Sequence, residues 1–260
     1  MDHPDVTRLY KFMPWSDRVK ALIENEEIWF SRMDAFNDPF EGIYSVNRNM
    51  EAFQFAALAF KHYQNNDGIG WSDISKLLSE KVVNEDLSIK EDALIQLDCA
   101  VDSMIDEVRG IGILSLSEVA DSILMWSHYA DNHKGICIEF ERELLELSGD
   151  SKHCRPVQYS TDYPQPRVRD LLADEHLLTT QVVYTKAAEW SYEKEWRIWA
   201  EKGNTLRKTP GKIRSIILGA SWDGDLDKVY EMAMGNSIKL KLAKKIEGRY
   251  EIEITPYIRK

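Results

Sequence analysis

The apolar spacing of this chain changes twice along its length, and that order limits the folds open to it. Short strand-like stretches come first. Helical spacing dominates from about 50 to 110, and strand-like alternation returns from 111 to the C-terminus. This is not the regular strand–helix alternation of a doubly wound sheet. No GxGxxG and no GxxxxGK[ST] occurs, so neither a Rossmann fingerprint nor a P-loop is present. The order predicts an α+β fold, one domain over 1–260, with residues 50–110 as a helical insertion or cap. A chain of 260 residues can bury a large core without staples.

Residues 9–12 and 27–31 read as strands around a helix at 17–25. AFNDPFEG follows as a turn-rich loop, by its Asn, Asp, Pro and Gly. Phe53, Ala57 and Phe60 recur at helical spacing. In 89–108 Ile89, Ala93, Leu97, Ala100, Val101, Met104, Ile105 and Val108 form one helix face. NNDGIG (65–70) is the Gly/Asn-rich joint of this half. GILSLS (112–117) predicts a strand, and Asp121 or Ser122 can cap a helix through 130. From Gly135 a strand puts Ile136, Ile138 and Phe140 on one side, with Cys137 and Glu139 on the other. Residues 142–148 read as helix. Strands are expected near 155–159, 181–186, 195–200, 213–218, 237–243 and 249–254. A helix at 225–234 has Gly235 as its stop.

The net charge of -11 disfavours broad, non-specific nucleic-acid binding but leaves room for a local basic cleft. No apolar run approaches 18 residues and the N-terminus has no secretory h-region, so a cytoplasmic protein is expected. Cys99, Cys137 and Cys154 read as free thiols.

Three polar-aromatic segments stand out: NDPFE (37–41), WSHYADNHKG (126–135) and YEKEWR (192–197). As a strand, EWRIWA turns Trp196, Ile198 and Ala200 one way and Glu195, Arg197 and Trp199 the other. That row suits a cleft wall. The plainer reading is a cross-strand ion pair on a solvated face. Trp126 and Tyr129 are neighbours on a helix, and His128 and His133 flank a helix-to-loop passage. A zinc site through His128, His133 and Cys137 matches no standard spacing, and no metal is expected. In NDPFE, a rigid turn presenting Asn37, Asp38 or Glu41 competes with a plain loop in which Phe40 is a core anchor.

Taken together, LYKF, IWFS, FNDPFE, MWSHYADNHKGICIEF, YEKEWRI and SIILG (215–219) resemble a widespread bacterial family of unknown function, from about residue 9 to residue 219. That family is similar to the ADP-ribosyltransferases, including their abortive-infection and DNA-modifying branches. The resemblance implies a split, mostly antiparallel sheet that holds NAD without a Gly-rich loop. It also implies a place in phage defence or a toxin system. An early-strand position falls on Tyr10 or Lys11, a middle one on Ser31 or Tyr129, and a late glutamate on Glu195. The early position carries no His or Arg. Glu195, His128 and Tyr129 are then the catalytic candidates. Tyr10, Lys11, Ser31, Asn37, Asp38, Trp126 and Arg197 are candidates for holding NAD as substrate.

On this reading Glu195 stabilises an oxocarbenium-like transition state. Trp126, Tyr129 or Trp199 walls the nicotinamide, and Arg197 meets a phosphate with its planar fork. The acidic chain argues for a protein or small-molecule acceptor, or for nucleic acid met only locally. Two other functions compete. One is a magnesium-dependent nuclease built on Asp38, Glu41, Glu193, Lys194 and Glu195. The other is a non-enzymatic ligand- or protein-binding module. Convergence of Asn37, His128, Tyr129 and Glu195 on one pocket is the deciding observation.

Overall fold

The computed structural model describes residues 3, 5–52, 54–57, 71–86, 88–142, 154–171, 174 and 176–259. In chain order the elements are β1 (Arg8–Met13), α1 (Asp17–Asn25), β2 (Glu27–Phe30), α2 (Trp71–Lys81), α3 (Glu91–Gly110) and β3 (Gly112–Ser117). Then come α4 (Ile123–Tyr129), β4 (Ile136–Glu141), β5 (Arg155–Pro156), β6 (Gln158–Ser160), α5 (Val168–Leu171), α6 (Leu177–Val183) and β7 (Thr185–Ala187). β8 (Glu195–Ala200), β9 (Thr205–Lys208), β10 (Ile213–Leu218), α7 (Leu226–Gly235), β11 (Lys239–Lys245) and β12 (Ile252–Pro256) complete the series. Two 3-10 segments, Met33–Ala35 and Ala188–Glu193, precede functional stretches. The expected helices around Phe53 and Phe60 and at 142–148, and the joint at 65–70, fall wholly or largely outside the described residues.

The chain forms two compact units. One comprises Gly42–Gly110 and Asp162–Thr185. It has its own small core, in which Leu97 and Val101 of α3 meet Val168 of α5, with Met50 and Ile105 beside them. Arg48 ties Asp98 and Asp102 of α3 together at the surface.

The other unit comprises Met1–Glu41, Ile111–Thr161 and Lys186–Lys260. Its eight-stranded sheet runs β12-β11-β10-β4-β1-β3-β8-β5. Every pairing is antiparallel except β10 with β11. The α+β class with a large, mostly antiparallel sheet follows directly. One face carries the main core: Leu9, Leu114, Leu116, Ile138, Phe140, Trp196 and Ile198, packed with Leu22 and Ile23 of α1 and Val229 of α7. These alternate along their strands with residues of the opposite face, as a period of two requires. That face holds a smaller core of Phe12, Met125, Trp126 and Cys137. It also holds the polar row described below. β2 pairs with β9 in a separate ribbon, which reaches β3 through the backbone bridge of Ser31 with Ile113.

Among the described residues no helix is long and apolar enough to cross a membrane. Two local expectations are corrected. Of the strand expected at 181–186 only Thr185 and Lys186 are strand, and 181–183 close a helix, because Leu178, Thr179, Val182 and Val183 form a buried stripe at helical spacing. Its β-branched residues suggested a strand and lost to that stripe. Gly235 is the last residue of α7 rather than its stop, and the left-handed residue beyond the cap is Ser237. Ser122, not Asp121, caps α4 by accepting from the Met125 amide.

After α4 the chain makes a left-handed turn on three consecutive non-glycine residues, Asp131, Asn132 and His133, with φ of 45°, 53° and 69°. Such residues cost about 1–2 kcal/mol each, so the turn must be held from outside. The hold comes from the segment just after β10: the Ser221 amide donates to the His133 carbonyl, and the Gly219 amide to the Gly135 carbonyl. A Cβ at Gly219 would lie 2.0 Å from the His133 oxygen. Gly219→Ala is therefore expected to destabilise the protein by about 3 kcal/mol in urea unfolding, since backbone stands on both sides of the clash. An unchanged midpoint would show that the turn is not pinned there.

Candidate active site

One row of polar side chains crosses the sheet. Register pairs Ser215 with Glu139, Glu139 with Tyr10, Tyr10 with Ser117, and Ser117 with Glu195. Paired residues share a face, so five strands contribute to one line. The row carries two buried acids, one toward each end. At one end Glu139 meets Arg8 at 2.7 Å and Lys241 at 2.6 Å, and accepts from Ser215. Burial would push its carboxyl up, but Lys241 and Ser215 hold it below the ordinary range.

At the other end the sheet opens. β1 pairs with β4 over six residues but shares a single register pair with β3, Tyr10 with Ser117. Beyond that pair Lys11 reaches over and donates to the Ser115 carbonyl at 2.9 Å. A cavity of about 190 Å³ occupies this region. Tyr10 and Lys11 of β1, Ser31 after β2, and Glu195 of β8 all line it. So do Asn37 and Asp38 of the NDPFE loop and Tyr129 of α4. Phe12, Phe36 and Trp190 supply aromatic surface.

An ion network forms the wall around Glu195. Arg197 Nε donates to Glu195 Oε1 at 2.8 Å, and its Nη2 reaches Glu195 Oε2 at 3.1 Å and Glu41 at 2.6 Å. Lys186 lies 2.5 Å from Glu193, 2.9 Å from Glu195 and 3.7 Å from Glu41. Its ammonium also sits 5.2 Å from the centre of the Trp190 ring. The Tyr129 hydroxyl donates to Glu193 at 2.5 Å. The Glu195 amide donates to the Tyr159 hydroxyl at 2.8 Å.

These contacts decide the protonation states. Burial pushes Glu195 up, but Arg197 and Lys186 outweigh it and hold the carboxyl well below the usual range. Burial alone would lower Lys186, yet Glu195, Glu193 and Glu41 keep it well above the ordinary lysine value. Lys11 is lowered by burial, although Glu195 and Glu193 oppose the shift. Burial raises Glu41 despite Arg197 and Lys186. Tyr129 is driven far up by burial and by its bond to Glu193, so it is a neutral donor.

Asn37, Tyr129 and Glu195 therefore meet in one pocket, and His128 does not join them. His128 is exposed and its Nδ1 contacts the Tyr192 hydroxyl at 3.0 Å. The helix presents Tyr129 to the cavity, and a neighbour one position away points elsewhere. Trp126 is also corrected. It is fully buried, gives its indole N–H to the Ala120 carbonyl, and packs edge-on to Phe12. Trp199 is likewise outside the lining, so of the three aromatics expected to wall the nicotinamide Tyr129 alone lines the cavity.

Arg197 is not available to a phosphate: it is fully buried and held by two carboxylates. The alternation on β8 is as expected, but neither face is solvated. Phe40 is exposed, not a core anchor. The NDPFE loop is fixed instead by Asp38, which accepts from the Trp190 indole at 2.6 Å, and by Glu41. Lys194 of the nuclease reading is exposed with a φ of 44°, outside the cavity. His133 contacts Ser127, away from His128. Among the described residues no group of three or more His, Cys, Asp or Glu side chains is placed to hold a metal. Lys186 and Trp190 were not singled out by sequence reasoning. Both lie just before YEKEWR, where a strand-to-turn passage gives no periodic signal.

Residues 125–198 match the model of a family described as "Protein of unknown function (DUF2971)". The match contains WSHYADNHKG, Lys186 and YEKEWR, and leaves NDPFE outside. No curated protein and no solved structure matches the chain.

Proposed function

We propose that this pocket cleaves NAD between nicotinamide and ribose and transfers the ADP-ribosyl group to an acceptor. One observation carries the reading: Lys11 from β1, Ser31 from the end of β2 and Glu195 from β8 line one cavity. Those are the early, middle and late positions at which the resemblance to ADP-ribosyltransferases implies polar residues.

The chemistry fits the environment of Glu195. As the C–N bond breaks, its electron pair goes to the pyridinium nitrogen and neutral nicotinamide leaves. Positive charge develops on the ribose, and an ionised carboxylate beside it stabilises that charge. A carboxylate offers about four lone-pair sites. Arg197 and Lys186 take three at Glu195 and the Ser115 hydroxyl takes the fourth, so a ribose hydroxyl binds by displacing or sharing with Ser115. Tyr129, Phe36 and Trp190 provide flat surface for the departing ring. The acceptor's nucleophile then bonds to the ribose carbon and loses its proton.

The cavity is smaller than the roughly 300–1,000 Å³ of sites for drug-sized ligands. It takes the nicotinamide ring and its ribose, and the rest of the dinucleotide lies outside. The direct experiment mixes the protein with NAD and follows free nicotinamide with protein, nucleic-acid and small-molecule acceptors supplied in turn. Release above the uncatalysed rate supports the reading, and none under any of these conditions sinks it.

The crowding of Glu195 by its own cations favours a second reading, a module that binds a ligand without turning it over. NAD binding by calorimetry with no nicotinamide released would select it.

A further inference from the structure

The structure assigns Lys186 the task of holding Glu195 and Glu193 in place, and we infer that it is the positioning residue of the site. The inference rests on the proposed reaction for its first test and is independent of it for its second. Glu41, Glu193 and Glu195 come from a loop, a 3-10 segment and a strand, and Lys186 is within 4 Å of all three. Its side chain is 8% exposed, and theirs are 1–4% exposed. A surface ion pair would contribute little, but here water is largely excluded.

Charge balance shows why the ammonium matters. Three cations, Lys11, Lys186 and Arg197, face three carboxylates, Glu41, Glu193 and Glu195. Lys11 donates its ammonium to the Ser115 carbonyl, and Arg197 bonds Glu41 and Glu195. Lys186 bonds both Glu193 and Glu195, at 2.5 and 2.9 Å. Among the described residues the other ionisable groups facing Glu195 and Glu193 are the phenols of Tyr159, Tyr129 and Tyr192, each raised first by burial and so neutral. Without Lys186 the cluster carries one carboxylate too many, and one of the acids takes up a proton.

Lys186→Met is expected to lower nicotinamide release about 10²-fold and to move the acid limb of its pH profile up by about one unit or more. The sign follows from the cation's role: removing a charge that lowers Glu195 raises its pKa, so ionisation begins at higher pH. Lys186→Arg keeps the charge and is expected to leave the limb in place. Lys186→Ala leaves room for a propylammonium ion, which should restore release at least about tenfold and saturably. Met and Arg variants with the same limb as the parent, or folded Lys186→Ala that propylammonium does not rescue, would overturn the inference.

If the parent protein releases no nicotinamide, the proposed reaction fails, not the role of Lys186. Propylammonium should then still raise the Tm of Lys186→Ala by a few degrees. It should not raise that of Lys134→Ala, whose lysine pairs with Asp223 at the surface. Equal shifts in both variants would refute the role.

Discussion

Glu195→Gln is expected to lower nicotinamide release about 10²–10³-fold while NAD still binds. The amide keeps the size of the carboxylate and one acceptor oxygen but carries no charge. The loss therefore falls on the step in which the ribose becomes positive, and it appears in kcat rather than KM. The variant is not silent in stability. Arg197 and Lys186 present only donors to Glu195, so the amide nitrogen must face one of them. That mismatch costs about 1–3 kcal/mol. Circular dichroism and a urea titration separate the two effects. A folded Glu195→Gln with the parent's kcat would place the chemistry on another group.

Arg197→Leu is expected to cost about 3–5 kcal/mol of stability at neutral pH, the largest single effect in the site. The guanidinium is fully buried and is bonded to Glu195 and Glu41, which are themselves buried. Leucine leaves two carboxylates with one ammonium, Lys186, between them and Glu193. The penalty has a defined pH dependence. In the parent, the pKa of Glu195 lies below its ordinary value of 4.5, so its contribution to stability is present above that pH and fades as pH falls further. In the variant the carboxyls near the missing cation shift upward, so protonation relieves them. The difference between parent and variant should therefore shrink as pH falls from 7 toward 4. A difference that stays constant over that range would mean that packing, not charge, supplies the loss.

Parts of this architecture were legible because their signal is local. The bounds of α1, β3 and β10 follow from apolar spacing and matched the structure residue for residue. The split of β8 into a core side and a polar side followed from its period of two, with Trp196 and Ile198 in the main core and Glu195 in the pocket. Other features depend on what lies opposite, which no local period encodes. Arg197 reads as a free fork until Glu41, 156 residues away, is placed against it. Trp126 and Tyr129 share a helix, and only the strand beneath decides that Trp126 is core and Tyr129 is wall. Lys186 is invisible for the same reason, because its three partners converge only after the 3-10 segment turns back onto β8. At 181–183 the β-branched residues read as strand, but the buried stripe they continue from Leu178 is helical, and the strand begins only at Thr185.

The row from Ser215 to Glu195 also limits how a gene for such a chain can change length. The row is defined by register across β10, β4, β1, β3 and β8, and register has a period of two. A codon added or lost within one of these strands inverts the faces of the residues on one side of it, so polar-row and core positions exchange there. Insertions between the strands leave that parity untouched. Length variation in descendants of this sequence should therefore collect in the connections, while these five strands tolerate substitution far better than insertion.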